Sequence, residues 1–379
     1  MIMLKLKKDE YVMKIAIIPY KWFGSDGISA FIMNSYRPLD HKLFHCTLIY
    51  SSFLGDVEIA KKKMLEFTEN GDSSVCISKS QGLVKYFFRL LYHLKKQKYD
   101  IVHIHGSSAS IVLAALAAKI AGVKKICTHA HSTGGNHVFI HKICRILLNR
   151  ITTIPLACGQ KSGLWMYGKK KPFRIVPNGI ELSKYKFSED IRVSIRKKLN
   201  IPEDQILVGH IGGLNAAVKN HKFLIDFANL VKSKNLNIRM LFIGSGCRLG
   251  LKNVQEYAES LNVADYINYL GQRDDVNELL MGMDAFFLPS FFEGFPIVSI
   301  ESQASGLPTF MSNTISKEVG MTDLVHWLPI DKGPECWLQA LEKYPVLKDR
   351  ALYANEVEKH GFGVKNVSDL LKKIYLDGV

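Results

Sequence analysis

The chain has 379 residues, 47% of them hydrophobic and 22% charged, with a formal net charge of +15. That balance is ordinary for a globular protein of about two domains and argues against collagen-like or disordered chains. No run of about twenty apolar residues occurs, which argues against a transmembrane helix, and the seven cysteines show neither C-x-x-C pairs nor metal-ligand spacing, so they read as reduced, mostly core thiols of a cytoplasmic protein.

The first dozen residues lack a signal peptide's apolar region and read as an extension or an upstream start. From Met13 onward, short apolar runs alternate with helical patterns, the signature of parallel α/β units. In the first half the expected strands are KIAIIPY (14–20), CTLIYSS (46–52), DIVHIHG (100–106), KICTHAH (125–131) and FRIVPNG (173–179). Their near-continuous apolar character suits strands covered on both faces. LVKYFFRLLYHLKKQK (83–98) predicts a basic amphipathic helix. It either buries its apolar face, with Lys95, Lys96 and Lys98 favourable at its C-terminus, or lies on an anionic membrane. A second helix is expected over 107–121.

Val176-Pro177-Asn178-Gly179 is turn-rich and is followed by the polar segment 183–200. The expected division is a first domain over 1–182, a second over 183–358 and a C-terminal segment over 359–379. Strands of the second half are ILVGHIGG (206–213), IRMLFIG (238–244), INYLG (267–271), AFFLPS (285–290) and PTFMS (308–312), with helices over 220–233 and 296–305. Two doubly wound sheets are the outcome, with ligands beyond the carboxyl ends of the strands and a cleft where the sheets face each other. Basic runs recur at Lys61-Lys62-Lys63, Lys169-Lys170-Lys171 and Arg196-Lys197-Lys198. A solvated surface accounts for them, anionic lipid or polyphosphate is the sharper partner, and nucleic acid is not expected because no recognition motif accompanies the charge.

Histidines cluster in the first half. His103 and His105 share one strand face by the period of two, and His129 and His131 repeat the arrangement. His137 and His141 suit one helix face. A zinc hydrolase is one reading, but a supporting carboxylate or complete ligand set is missing from the pattern; core histidines are the alternative.

SFFEGFPIVSIESQASGLP (290–308) holds the most specific pattern. Glu293 falls in the loop after a strand, Pro296 suits a helix's first turn, Glu301 lies within that helix and Gly306 stops it. Backbone N–H groups near Gly294 and Phe295 can hold a phosphate. Carboxylates beside such a site suit the hydroxyls of a sugar and a ribose. An exposed loop acid and a salt-bridged helix acid are the plainer alternative.

E-G-F-P-I-V-S-I-E resembles the E-x7-E motif of retaining glycosyltransferases of family 4, which have the GT-B fold. GSDGISAFIMNSYR (24–37), THAHST (128–133), VPNGIE (176–181) and GQRDDVNELLMGMDAFFLPS (271–290) extend the likeness over most of the chain, in the style of bacterial enzymes that build capsular and exopolysaccharides. The resemblance implies that Glu293 contacts the donor sugar and Glu301 the ribose, with Gly294, Phe295 and Pro296 at the phosphates. It implies a phosphate-neutralising role for Lys219 in GHIGGLNAAVKNHKF (209–223), but Gly213 stands where the family places an arginine. Arg248 and Arg273, both after strand ends, are the candidate substitutes. Gly244 would line the nucleotide pocket, Gly24 and Gly27 the first loop, and His131 the reaction centre, with His105 and Gly106-Ser107-Ser108 toward the acceptor.

The expected donor is a UDP-sugar, no metal is implied, and the acceptor is a glycan or lipid-linked saccharide. The enzyme would sit in the cytoplasm or peripherally at the inner membrane face. The C-terminal helix (363–379) would pack back on the first domain. Two alternatives accompany this reading: a nucleotide-sugar epimerase on the same fold, and a catalytically weak nucleotide-sugar-binding partner subunit.

Overall fold

Runs such as Ile15-Ala16-Ile17-Ile18 are buried at every position. A strand with both faces buried needs helices on both sides, which right-handed β-α-β crossovers supply. The computed structural model describes residues 11–377, apart from 21–22, 25, 55–56, 136, 215–216, 245, 247 and 345–348. The chain divides into two units, residues 1–176 with 367–379, and residues 177–366; the boundaries read from the sequence were 182 and 358.

The strands of the first unit are β1 (Met13–Pro19), β2 (Phe23–Gly24), β3 (Phe44–Tyr50), β4 (Phe53–Leu54), β5 (Ser73–Cys76), β6 (Ile101–Gly106), β7 (Lys125–Ala130), β8 (Ile154–Ala157) and β9 (Arg174–Ile175). Seven form one sheet in the order β5-β3-β1-β6-β7-β8-β9, parallel throughout. Its helices are α1 (Gly27–Tyr36), α2 (Val57–Thr68), α3 (Leu83–Gln97), α4 (Val112–Ile120), α5 (Val138–Ile151) and α6 (Gln160–Tyr167). Alternation along β6 divides the core. Val102 and Ile104 join the cluster that contains Leu90, Leu94 and Ala115, while Ile101 joins the cluster with Phe31 and Tyr36.

The second unit carries α7 (Leu182–Tyr185), α8 (Glu189–Lys198), β10 (Ile206–Ile211), α9 (His221–Ser233), β11 (Ile238–Ile243), α10 (Arg248–Ser260), β12 (Ile267–Gly271), α11 (Val276–Gly282), β13 (Ala285–Leu288), α12 (Ile297–Ala304), β14 (Thr309–Ser312), β15 (Val325–Leu328), α13 (Pro334–Glu342) and α14 (Tyr353–Lys359). Its sheet runs β12-β11-β10-β13-β14-β15, again parallel. The last helix, α15 (Val364–Asp377), belongs to the first unit from Val367 onward. There Tyr375 is fully buried and its hydroxyl bonds that of Tyr36 at 2.9 Å.

In each sheet the winding reverses once, between β1 and β6 and between β10 and β13. Loops at the carboxyl ends of two such strands part at that point and leave a ligand crevice. Among the described residues, no helix is long and apolar enough to cross a membrane. One expected strand is much shorter than its pattern: 173–179 yields only Arg174–Ile175, at a sheet edge just before Pro177, which has no N–H for a ladder.

Candidate functional site

The reversal point of the second sheet brings two loops together. One follows β10 through Gly212 and Gly213 to a single 3-10 turn over Ala217–Lys219. The other follows β13 through Glu293 to Pro296, which caps α12 from just outside the helix rather than within its first turn. The Phe291 N–H donates to the Val218 carbonyl at 2.9 Å, and Asn220 Nδ2 donates to the Pro289 carbonyl at 3.2 Å. Asn220 holds a left-handed backbone, φ 57°, a conformation asparagine tolerates better than most residues.

On this frame Lys219 Nζ donates to Glu293 Oε1 at 2.6 Å, with side-chain exposures of 18% and 13%. A cation and a carboxylate, both largely withdrawn from water, therefore stand beside the N-terminus of α12. Unpaired N–H groups and the helix dipole make that end attractive to an anion. One turn further on, Glu301 Oε1 accepts from the Tyr185 hydroxyl at 2.6 Å. Burial, then the neighbouring Glu301, raises the Tyr185 hydroxyl well above its usual pKa. It therefore stays a proton donor and fixes one carboxylate oxygen.

The backbone around Phe295 is tied as well. Its carbonyl accepts from Asn178 Nδ2 at 2.8 Å, and its ring stacks on Phe362 at 5.5 Å. Gly244 follows β11 with φ +152°, and a Cβ there would lie 2.1 Å from the Gly212 carbonyl oxygen. Only glycine lets the two strand ends approach so closely. Beneath this loop His210 is fully buried. Its Nδ1 meets the Phe287 carbonyl at 2.9 Å, and burial, then His221, holds its pKa well below the usual value.

The two arginines considered as substitutes for the family arginine are placed differently. Arg273 is half-exposed and clamped on Asp275, with Nε donating to Oδ1 at 2.8 Å and a terminal nitrogen to Oδ2 at 2.5 Å. Arg248 is the first residue of α10, and its side chain lies outside the described residues. Sequence reasoning passed over Tyr185 and His210, because a tyrosine in a short turn and a histidine in a strand carry no motif.

In the first unit the four histidines form a stack. His103 and His105 lie 4.2 Å apart ring to ring, as do His129 and His131. The Tyr36 hydroxyl bonds His103 Nδ1 at 2.6 Å and His105 Nε2 at 3.1 Å, and His105 Nδ1 meets His131 Nε2 at 3.1 Å. Burial is the first cause lowering all four pKa values, with His131 taken to about 3, so the stack is neutral at physiological pH. His103, His105 and His129 have ring nitrogens within 4.8 Å of one another, a set that could hold a metal ion. Yet the His103 and His129 rings are nearly parallel, at 12°. A metal lies in the plane of each imidazole it binds, and near-parallel stacked rings do not aim their lone pairs at one point. The set reads as a buried polar core.

His131 stands just past β7, its N–H on the Gly106 carbonyl at 3.0 Å. Gly24 donates to Ser29 Oγ at 2.9 Å. Gly27 opens α1 behind the Asp26 cap, with nothing within 4 Å of where a Cβ would stand. The Glu293, Lys219 and Glu301 group is built in the second unit, and His131, Gly24 and Gly27 in the first.

Residues 70–184 match the family described as Glycosyltransferase Family 4, and residues 192–320 match the family described as Glycosyl transferases group 1. The second stretch contains the whole Lys219, Glu293 and Glu301 corner. The chain is a glycosyltransferase with a family 4 domain followed by a group 1 domain. EpsF of Bacillus subtilis, described as a glycosyltransferase, is 28% identical over 256 residues, which are 65% of this glycosyltransferase and 66% of EpsF. The Escherichia coli UDP-Gal:alpha-D-GlcNAc-diphosphoundecaprenol alpha-1,3-galactosyltransferase is 27% identical over 78% of this chain and 80% of its own. Among solved structures, Anabaena HepE in complex with UDP and glucose superposes with a TM-score of 0.80 at 16% identity, covering 97% of this chain and all of HepE. That likeness shows the shared GT-B fold of two Rossmann-like parallel-sheet units.

Proposed function

We propose that this glycosyltransferase moves a sugar, with retention of anomeric configuration, from a nucleoside diphosphate sugar to a glycan or lipid-linked saccharide during bacterial surface polysaccharide assembly in the cytoplasm. UDP is the proposed nucleotide. The observation that carries the reading is the 2.6 Å Lys219–Glu293 pair at the N-terminus of α12, with Glu301 held by Tyr185 one turn away. The names of relatives support it: a galactosyltransferase with a UDP-Gal donor and a lipid diphosphate acceptor, an O-antigen biosynthesis glycosyltransferase and a fold neighbour solved with UDP-glucose.

In this reading Glu301 accepts hydrogen bonds from the ribose hydroxyls, while the backbone N–H groups around Gly294 and Phe295 hold the diphosphate. Lys219 leaves Glu293 in part to meet the phosphate oxygens, and Glu293 turns to a hydroxyl of the donor sugar. The bond between the anomeric carbon and the β-phosphate oxygen breaks as the acceptor oxygen bonds the same face of that carbon. The acceptor's proton passes to the departing phosphate, and Lys219 stabilises the charge that develops there. His131, neutral at working pH, is assigned a hydrogen bond to a sugar hydroxyl. Gly24, Gly27, Gly213 and Gly244 are assigned close backbone approach, and Arg273 and Arg248 remain the candidates for a second cation.

Thermal stabilisation against nucleotides and nucleotide sugars, with EDTA or Mg2+, tests the reading, because a ligand that binds the folded state raises its apparent stability. A shift with UDP and one UDP-sugar, kept in EDTA and lost in Glu301→Ala, is expected. A shift confined to another nucleotide would replace the donor, and no shift with any nucleotide from folded protein would overturn the reading. Proton NMR of the first-formed product reads the anomeric configuration; inversion would refute retention.

A further inference from the structure

Glu293 and Glu301 are held in opposite ways. Glu301 accepts from the Tyr185 hydroxyl, a neutral donor that leaves the charge of the carboxylate in place. Glu293 accepts from Lys219, a cation, at 2.6 Å. Backbone holds this second pair in register. The Phe291 N–H donates to the Val218 carbonyl and Asn220 Nδ2 to the Pro289 carbonyl, so the residues on either side of Lys219 are tied to the loop that carries Glu293. The pair is therefore a property of the two loops, not a chance meeting of two long side chains. It stands at the N-terminus of α12, where an anion is favoured. A diphosphate arriving there needs the same ammonium, and Glu293 already has it. A further cation would relieve that competition. Gly213, on the same loop as Lys219, supplies none, and Arg273 is committed to Asp275.

We infer that Glu293 competes with the nucleotide's phosphates for Lys219, so that the site holds an intact UDP-sugar well and free UDP weakly. The inference rests on the nucleotide-sugar reading above and adds a device for clearing the product. Free UDP draws Lys219 away and leaves Glu293, only 13% exposed, beside two negative phosphates with little water to offset the lost partner. A donor sugar changes that balance, because its hydroxyls donate to the carboxylate as the lysine departs. Once the sugar has passed to the acceptor, those hydroxyls leave with it. Glu293 then recovers Lys219 as the diphosphate goes, one charge-assisted hydrogen bond exchanged for another with no covalent step. Product release limits turnover in many enzymes; here the acid that receives the donor sugar also weakens the hold on what remains. Glu301 has no such effect, since its tyrosine partner is not a group the phosphates need.

The test is calorimetric titration of the full chain with UDP and with whichever of UDP-glucose, UDP-galactose and UDP-N-acetylglucosamine binds wild type best. Five proteins are compared: wild type, Glu293→Gln, Lys219→Ala, Lys219→Ala/Glu293→Gln, and Glu256→Gln, which makes the same charge change at an exposed residue of α10. Glutamine keeps the size of the side chain and still accepts from Lys219, so the fold should persist, which melting temperature checks. Glu293→Gln is expected to bind UDP about tenfold more tightly, the low end of what a hydrogen bond to a charged group contributes. The gain should be clearly smaller for the UDP-sugar, and most of it should vanish in the Lys219→Ala background. Glu256→Gln should match wild type. UDP binding that is unchanged or weaker in Glu293→Gln overturns the inference. So does an equal gain with and without Lys219, which would make Glu293 a source of repulsion only, or an equal gain in Glu256→Gln, which would reduce the effect to net charge. An equal gain for UDP and the UDP-sugar, or a wild type that binds UDP and none of the three sugars, also overturns it. Each of those results leaves the nucleotide reading standing. Only the failure of all five folded proteins to bind any nucleotide removes that reading, and the inference with it.

Discussion

Replacing Lys219 with alanine removes a cation that touches Glu293, and the structure sets two consequences of different size. In the ligand-free protein, Glu293 loses a charged partner at 2.6 Å while remaining only 13% exposed. Stranding one member of a fully buried pair costs about 3–5 kcal/mol. Water reaches this pair at its edge, so a loss of roughly 1–2 kcal/mol is expected, a few degrees in melting temperature for a chain of this size. In turnover, a fixed cation facing charge on a leaving diphosphate contributes about 3 kcal/mol, on the order of a hundredfold in kcat. The double variant Lys219→Ala/Glu293→Gln separates the two effects. It should recover most of the stability, because no charged carboxylate is left where the lysine was, and none of the rate. Lys219→Arg should retain stability and part of the rate. The assay is UDP release with labelled donor and acceptor, beside a thermal melt. Near-wild-type kcat in Lys219→Ala would refute the assignment. Loss of activity that the double variant restored would show that Lys219 serves only to shield Glu293.

Tyr185→Phe deletes the 2.6 Å bond to Glu301; a hydrogen bond to a charged group is worth about 1.5–3 kcal/mol, so UDP should bind ten- to a hundredfold more weakly by calorimetry, and unchanged affinity would remove Tyr185 from the site. Gly244→Ala places a Cβ 2.1 Å from the Gly212 carbonyl oxygen at positive φ, so the second unit should melt earlier; an unchanged melt would mean that β10 and β11 part easily. The histidine stack sets an acid limit. Burial holds His103, His105, His129 and His131 neutral in the fold, whereas the unfolded chain takes up protons near pH 6.5, so stability is fully present above that pH and falls below it. The loss is about 2 kcal/mol per histidine between pH 7 and 5, continuing for His131 toward about pH 3. Urea melts at the two pH values, with hydrogen exchange of β6 and β7 amides, check this; a midpoint that does not move would refute the neutral stack.

Sheet strands were legible where both faces are buried, because β1, β6, β10 and β11 are unbroken apolar runs. They were not legible in β5, which reads Ser73-Ser74-Val75-Cys76, or in β8, which carries Pro155; short strands with polar residues or proline take their place from neighbours rather than from local preference. The E-x7-E corner was legible as a motif. That Lys219 rests on Glu293 was not, since the two are 74 residues apart and meet only because β10 and β13 are adjacent. Tyr185 and His210 had no signal at all. The buried side of α5 was hidden for a different reason: VFIHKICRILLNRI is apolar on most sides, and periodicity alone does not say which side the sheet covers.

Tyr375 has a consequence for how the protein is made. Its hydroxyl completes the bonds of Tyr36, 339 residues earlier, and of His103 at 2.6 Å, and Lys125 donates to its carbonyl at 2.6 Å. The first unit therefore lacks a wall of its core until Tyr375 itself has left the ribosome, whereas residues 177–366 are one continuous stretch. The part synthesised first is the part finished last. Until then its histidine layer and the apolar positions that meet α15 stand open to solvent, and a chain cut before Tyr375 would keep that exposure permanently.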